Sequence, residues 1–363
     1  MIQKICLIKY DMTEKSGGER VASILSRELC DYFEVHLVSI CGKDEQPYYK
    51  LDSRVKYSAL LKGHERIRKT VLSGGKAIRR YVKENKIDTV LSIGGNVNSF
   101  MWSATYCRKI KKIFCEHINL KMALNDKMNA ILRKIGVKIA DKIVTLTNRD
   151  RLEYLKYYKL DDEKVVCIYN WVDDALKAVN PKYNKNSNRI ITVGRFEEQK
   201  GYDMLVASAR EVFARHSDWH WDIYGDGEEF DKIKALVVKY KLDENVHLKG
   251  TSRSIYDKYP EYAFYVMTSR MEWLPMVLLE AKANGLPIVS FDCLTGPSEI
   301  VRDGVDGILV EPNDTDRLCE KICELIEKPE LRAEFSAHSK ENIELFDKQT
   351  IVKKWVDLIK NLK

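Results

Sequence analysis

The sequence predicts an α/β protein built from two parallel-sheet domains in succession, and three observations carry the prediction. Short apolar runs of strand length alternate with helical patterns along the whole chain. The alternation pauses once, in a polar, turn-prone stretch at residues 180–188, and then restarts. A chain of 363 residues is also longer than one ordinary core fills. With 45% hydrophobic and 32% charged residues, it has the composition of a globular protein rather than a disordered one.

In chain order, residues 5–8, 35–40, 89–93, 112–115, 142–146 and 164–169 read as strands, with helical segments between them. After the polar stretch the rhythm resumes with strands at 189–193, 219–224, 246–248, 263–267, 287–291 and 307–310. The last segment, 349–362, spaces Ile351, Trp355, Leu358 and Ile359 as one face of an amphipathic helix. The chain is thus expected to hold a first domain at 1–175, a linker at 176–188, a second domain at 189–345 and a C-terminal helix at 346–363 that crosses back to the first domain. In open parallel sheets ligands gather beyond the carboxyl ends of the strands. Two such Rossmann-like domains are expected to face across a cleft lined by strand-to-helix loops.

Charge and cysteine usage narrow the partners. Residues 1–185 carry 36 Lys and Arg against 22 Asp and Glu, a net +14, and the remainder 25 against 32, a net −7. A basic first half suits an anionic membrane surface, a polyanionic substrate or nucleic acid. Its cations concentrate at 108–112, which includes Arg108, and at 62–86. There Arg68, Lys69, Lys76, Arg79, Arg80 and Lys83 alternate with Ile67, Val71, Leu72, Ile78 and Val82. This basic amphipathic pattern fits a lipid surface or a solvated helix face equally. No nucleic-acid-binding signature accompanies it, so nucleic acid is not an expected partner. No apolar run reaches the roughly 18–20 residues that span a bilayer, and residues 1–10 are too short an apolar run for a signal-peptide core. The nine cysteines include no C-x-x-C pair and read as buried thiols of a reducing compartment. The expected location is cytoplasmic, with peripheral membrane contact.

The residues able to carry chemistry collect in the strand-end loops. Ser269-Arg270-Met271-Glu272-Trp273 follows a strand and leads into a helix that stops at Gly285, so Glu272 lies in the loop and Glu280 inside the helix. Leu274, Pro275, Met276 and Val277 open that helix. The unpaired N–H groups there, with the positive end of the dipole, suit a diphosphate. Two glutamates so placed also fit a dipole partner and an ordinary solvated helix residue. In Gly194-Arg195-Phe196-Glu197-Glu198-Gln199-Lys200-Gly201 a second loop carries two cations that can converge on one dianion. In the first half, Gly17 and Gly18 open a helix with Glu19 in its first turn, where a carboxylate serves the dipole or a ligand alike. His117 follows a strand, as do Gly94, Gly95 and Asn96, while Gly225 and Lys249 close two strands of the second half. Asp314-Thr315-Asp316 precedes a helical run and reads as an N-cap, and the histidines and cysteines show no zinc spacing. No metal or other cofactor is expected.

Taken together, these residues resemble the retaining glycosyltransferases of family 4, whose fold is called GT-B, over nearly the whole chain. The resemblance rests on two glutamates separated by seven residues, Glu272 and Glu280, then Ala281, Ala283 and the Gly-x-Pro of Gly285 and Pro287. It implies that Glu272 contacts hydroxyls of the donor sugar and Glu280 the ribose. It further implies that Arg195 and Lys200 neutralise the leaving diphosphate in place of a metal, and that His117 binds a sugar hydroxyl. Gly17, Gly18, Gly225, Lys249, Trp273, Leu274, Pro275, Met276 and Val277 would then lie on the donor side, with Glu19, Gly95 and Asn96 toward the acceptor. The first domain becomes acceptor-binding and the second nucleotide-sugar-binding. Trp273 stands where family members usually carry Gly. The implied activity is transfer of a hexose or N-acetylhexosamine, from a UDP-linked donor, to a growing surface glycan on a lipid carrier or lipopolysaccharide, at the inner face of the plasma membrane. A nucleotide-sugar epimerase on a similar scaffold and a non-catalytic polyanion-binding protein are the competing readings.

Overall fold

A computed structural model describes residues 2–106, 109–172, 183–252 and 254–362. Arg108 and residues 176–182 of the expected linker lie outside the described residues. The chain divides into two compact units, Met1–Asn170 together with Gln349–Lys363, and Trp171–Lys348.

In the first unit, strands β1 (Lys4–Lys9), β2 (Glu34–Ser39), β3 (Lys56–Ala59), β4 (Thr89–Ile93), β5 (Lys111–Cys115), β6 (Lys142–Thr145) and β7 (Val165–Cys167) form one sheet. They lie in the order β3-β2-β1-β4-β5-β6-β7, every pairing parallel. Parallel strands covered on both faces must be apolar on both, which is why Ile5, Cys6, Leu7 and Ile8 are all fully buried and read as a continuous run. The sequence prediction lacks β3. Its Lys-Tyr-Ser-Ala contains no apolar run, because it pairs only with β2 at the sheet edge and none of its residues is fully buried. Strand order reverses between β1 and β4, the kind of switch point that leaves a crevice beyond the carboxyl ends. The C-terminal helix Lys348–Asn361 buries Ile351, Trp355 and Ile359. It meets the sheet of this unit where Lys111 Nζ donates to the Leu362 carbonyl, and Lys360 Nζ lies 5.6 Å from the Tyr32 ring centroid.

The second unit repeats the plan with β8 (Arg189–Val193), β9 (His220–Tyr224), β10 (Val246–Gly250), β11 (Phe264–Met267), β12 (Ile288–Phe291) and β13 (Gly307–Val310). Their order is β10-β9-β8-β11-β12-β13, again all parallel, with the switch between β8 and β11. Its core includes Trp221, Phe264 and Phe291, and the Trp221 indole N–H is satisfied by Thr192 Oγ1 at 3.0 Å. Tyr183 and Ser187, expected in the linker, are instead tied into this unit: their hydroxyls donate to the carbonyls of Ala263 at 2.6 Å and Glu261 at 2.7 Å. Asp314 caps the helix Thr315–Glu327 by accepting from the Arg317 N–H at 2.9 Å. No helix among the described residues is long and apolar enough to cross a membrane.

Candidate active site

In the second unit the β8 and β11 loops meet at the switch point. Gly201 has φ +65°, and a side chain there would run into the Thr268 carbonyl oxygen, so the turn after Lys200 packs backbone-on-backbone against the end of β11. Thr268 Oγ1 completes the join by donating to the Lys200 carbonyl at 3.1 Å. The result brings Lys200 Nζ to 2.6 Å from Glu272 Oε1, and Ser269 Oγ donates to the same oxygen at 2.7 Å. Glu272 is only 4% exposed, while Thr295 Oγ1 holds its backbone carbonyl at 3.0 Å. A recess beside this pair is lined by Thr192, Lys200, Tyr202, Ser269, Glu272 and Val277. An ammonium has three donors, so Lys200 can keep Glu272 and still bind an anion.

Glu280 sits within the helix Met276–Ala283, buried, with Tyr259 donating to Oε2 at 3.0 Å and Tyr256 to Oε1 at 3.4 Å. Burial, reinforced by Glu280, holds the Tyr259 phenol well above its usual pKa, so it remains a donor. Pro275 is the N-cap residue, Met276 and Val277 form the first turn, and Leu274 is buried beneath it. Gly225 has φ +152° and lies so close to the Gly194 carbonyl that only glycine fits, which draws the β8 and β9 loops together. Arg195, by contrast, is largely exposed and paired with Glu197 at 2.6 Å. Lys249 Nζ is 3.7 Å from Asp222. The two cations expected to converge, Arg195 and Lys200, therefore each hold a carboxylate of their own.

In the first unit, His117 is positioned by its neighbour. Glu116, 2% exposed, accepts from the backbone N–H groups of His117 and Ile118, both at 3.0 Å. It also takes two guanidinium bonds from the buried Arg133, at 2.6 and 3.1 Å, and the Tyr154 hydroxyl at 2.5 Å. A buried carboxylate with this many donors fixes the loop after β5. Burial, with the Lys9 ammonium adding to it, pushes the His117 imidazole down to about 3, so it is neutral. Gly17 and Gly18 begin the helix Gly17–Leu29. Glu19 is buried in its first turn, bonded by Ser16 Oγ and by Lys9 Nζ at 2.7 Å. Gly95 is buried against Arg133, and Asn96 occupies the turn Gly95–Val97 beyond β4.

The chain is 31% identical over 363 residues to the amylovoran biosynthesis glycosyltransferase AmsD of Erwinia amylovora, spanning 97% of this chain and 99% of that one. Residues 174–342 match the model described as glycosyl transferases group 1, and residues 15–176 the one described as glycosyltransferase family 4. This chain belongs to the family 4 glycosyltransferases. A second relative of the enzyme is a Campylobacter jejuni α-1,4-N-acetyl-D-galactosaminyltransferase acting on a diphospho-undecaprenol-linked glycan, 24% identical over 97% of each chain. Among solved structures, Anabaena HepE in complex with UDP and glucose shares the two-sheet GT-B fold, with a TM-score of 0.81 at 15% identity over 99% of this chain and 100% of that one.

Several residues that organise this glycosyltransferase's loops are absent from the sequence reading. Lys9 closes β1, and its ammonium pairs with Glu19 at 2.7 Å and lies over Gly18, where an added Cβ would meet it at 2.8 Å. A lysine ending an apolar strand where a glycine turn follows is the signal that could have found it. Glu116, Tyr256 and Tyr259 carry no such signal, because their roles come from contacts across 17 to 38 residues for the first and 21 to 24 residues for the two tyrosines.

Proposed function

We propose that this glycosyltransferase moves a hexose or N-acetylhexosamine from a UDP-linked donor to a growing surface glycan on a lipid carrier or lipopolysaccharide, retaining the anomeric configuration and using no metal. The observation that carries the reading is the Lys200–Glu272 pair at the head of the helix bearing Glu280, assembled at the switch point of the second sheet. A cation, free helix N–H groups and two buried carboxylates within one loop–helix segment suit a nucleotide diphosphate flanked by a sugar and a ribose. In the reaction the bond from the anomeric carbon to the diphosphate oxygen breaks, the acceptor oxygen bonds to the same face, and its proton passes to the departing diphosphate. Lys200, Arg195 and the helix N-terminus stabilise the charge that builds there, work done elsewhere by a metal. Glu272 and His117 take hydroxyls of the transferred sugar and Glu280 takes the ribose. The HepE complex with UDP and the lipid-linked glycan named for the Campylobacter relative support the donor and acceptor classes.

Thermal melting of the purified chain with UDP, GDP and a set of UDP-sugars tests the donor. Stabilisation by UDP and by at least one UDP-sugar, with GDP weaker, is expected. A chain that none of them stabilises would contradict the reading.

A further inference from the structure

The helix Gly17–Leu29 turns two faces to different surroundings. Ala22, Leu25 and Leu29 are buried in the first unit, whereas Arg20, Ser23, Ile24 and Arg27, spaced three and four residues apart, share a second face. The chain that follows β2 runs along that second face and is tied down beside it. The Tyr48 N–H donates to the Met12 carbonyl at 2.9 Å, Ser23 Oγ to the Lys50 carbonyl at 3.3 Å, and Arg54 Nη1 to Asp31 at 2.5 Å. Between the two lies a cavity of about 160 Å³, to which the loop adds Tyr49, Lys50 and Asp52. Cavities of about 150 Å³ admit one six-membered ring. Three cations, Arg20, Arg27 and Lys50, stand on this lining against one carboxylate, Asp52, and both oxygens of that carboxylate are already gripped by Arg54 at 3.0 Å each. Arg27 is braced by Glu28 through Nε and Nη2, at 2.8 and 2.6 Å, and its fork of five donors has more to offer. Ile24 and the half-buried Tyr49, held edge-on by Tyr48 at 5.0 Å, supply apolar surface that a bare anion cannot use.

We propose that this groove is an anchoring subsite for an acidic sugar of the acceptor glycan, its carboxylate held by Arg20, Arg27 and Lys50 and its ring lying over Ile24 and Tyr49. The assignment rests on the glycan-acceptor reading above and deepens it by naming the acceptor's charge. Seven residues of helix separate Arg20 from Arg27, about 10 Å, and Arg20 directly follows Glu19, the partner of Lys9. The groove therefore runs away from the strand-end loops, and the sugar it holds is remote from the reacting hydroxyl. Binding energy from such a remote unit orients the acceptor without touching the bond being made. A neutral glycan forgoes the charge-assisted bonds, so the enzyme favours acidic acceptors.

Isothermal titration of the full chain with trigalacturonate, maltotriose and inorganic phosphate tests it, in wild type, in Arg20→Gln and in Lys50→Gln. The double change of Lys76→Gln with Arg80→Gln, on the other basic helix, serves as the control. Arg20 and Lys50 are exposed, so neither change disturbs the core. Trigalacturonate should bind wild type about 10-fold more tightly than maltotriose or phosphate, lose about 10-fold in Arg20→Gln and in Lys50→Gln, and lose under about twofold in the control. Saturating UDP should leave that binding unchanged, and UDP affinity should be the same in every variant. Equal binding of phosphate and trigalacturonate overturns the proposal, because the ring then contributes nothing. So does an equal loss in the control, because the attraction is then the diffuse field of the basic unit. Displacement of trigalacturonate by UDP puts the sugar in the donor site and overturns it too. A chain that binds UDP-sugars but no trigalacturonate loses this inference alone, and one that binds trigalacturonate at the groove but no UDP loses the donor reading alone.

Discussion

At the scale of single residues, the environment of each titratable group decides what it can offer a ligand. His117 shows this most directly, since burial and the neighbouring Lys9 ammonium lower its pKa from 6.5 to about 3. The imidazole is therefore a neutral ring, able to donate from one nitrogen and accept at the other. Histidine-selective NMR should find His117 neutral down to about pH 4, and Lys9→Met should raise its midpoint. An imidazole that titrates near pH 6.5 in the folded chain would refute this. The linked stability has a definite sign. Between pH 6.5 and 3 the unfolded chain binds a proton that the folded chain does not, so the contribution of His117 is present above pH 6.5 and fades as pH falls toward 3. The sequence placed His117 at a strand's carboxyl end but could not announce its protonation state, which depends on packing and on a lysine 108 positions earlier. Glu272 and Glu280 were likewise legible as loop and helix residues, whereas the bond from Lys200 and the two tyrosine donors to Glu280 were not.

At the scale of elements, the strands were the most legible part of the chain. Most predicted strands agree with the observed ones to within two residues, because parallel strands buried on both faces must be continuous apolar runs. β3 escaped because an edge strand needs no such run. What holds the loops between elements was hidden. The loop after β5 depends on Glu116 and Arg133, which lie on a strand end and a separate helix, Lys127–Ile139, and on Tyr154 from a third segment. Replacing Glu116 by Gln leaves the Arg133 guanidinium buried and unpaired. Breaking such a pair costs about 3–5 kcal/mol, which for a unit of this size should lower Tm on the order of 10 °C. Calorimetry of the variant checks the loss, and a change of under about 2 °C would show that the cluster does not hold the loop.

At the scale of the whole molecule, charge asymmetry and exposed apolar side chains coincide on one face of the first unit. Arg68, Lys69, Lys76, Arg79, Arg80 and Lys83 are all exposed on the helix Ile67–Glu84, with Leu72 88% exposed among them. The neighbouring helix Asn98–Thr105 adds the half-exposed Trp102, and just beyond it Tyr106 lies 5.3 Å from the Arg79 guanidinium. Cations interleaved with aromatic and aliphatic side chains match an anionic lipid interface. Sedimentation with phosphatidylserine-containing vesicles at low salt should show binding. Replacing Arg68, Lys76 and Arg80 together by Ala should weaken it roughly 100-fold, at about 1 kcal/mol per cation. Binding that neither salt nor the triple variant changes would exclude this face. The amino-acid sequence by itself determined the two-sheet α/β class, the positions of most strands along the chain and the placement of Glu272, Glu280 and His117 in or beside strand-end loops. Those properties follow from local periodicity and from helix and turn residues that act over a few positions. Only the tertiary structure decided that Lys200 pairs with Glu272, that Glu116 fixes the loop of His117, and that Tyr256 and Tyr259 both donate to Glu280. Each of these depends on groups brought together by the parallel crossovers, whose geometry no local pattern encodes.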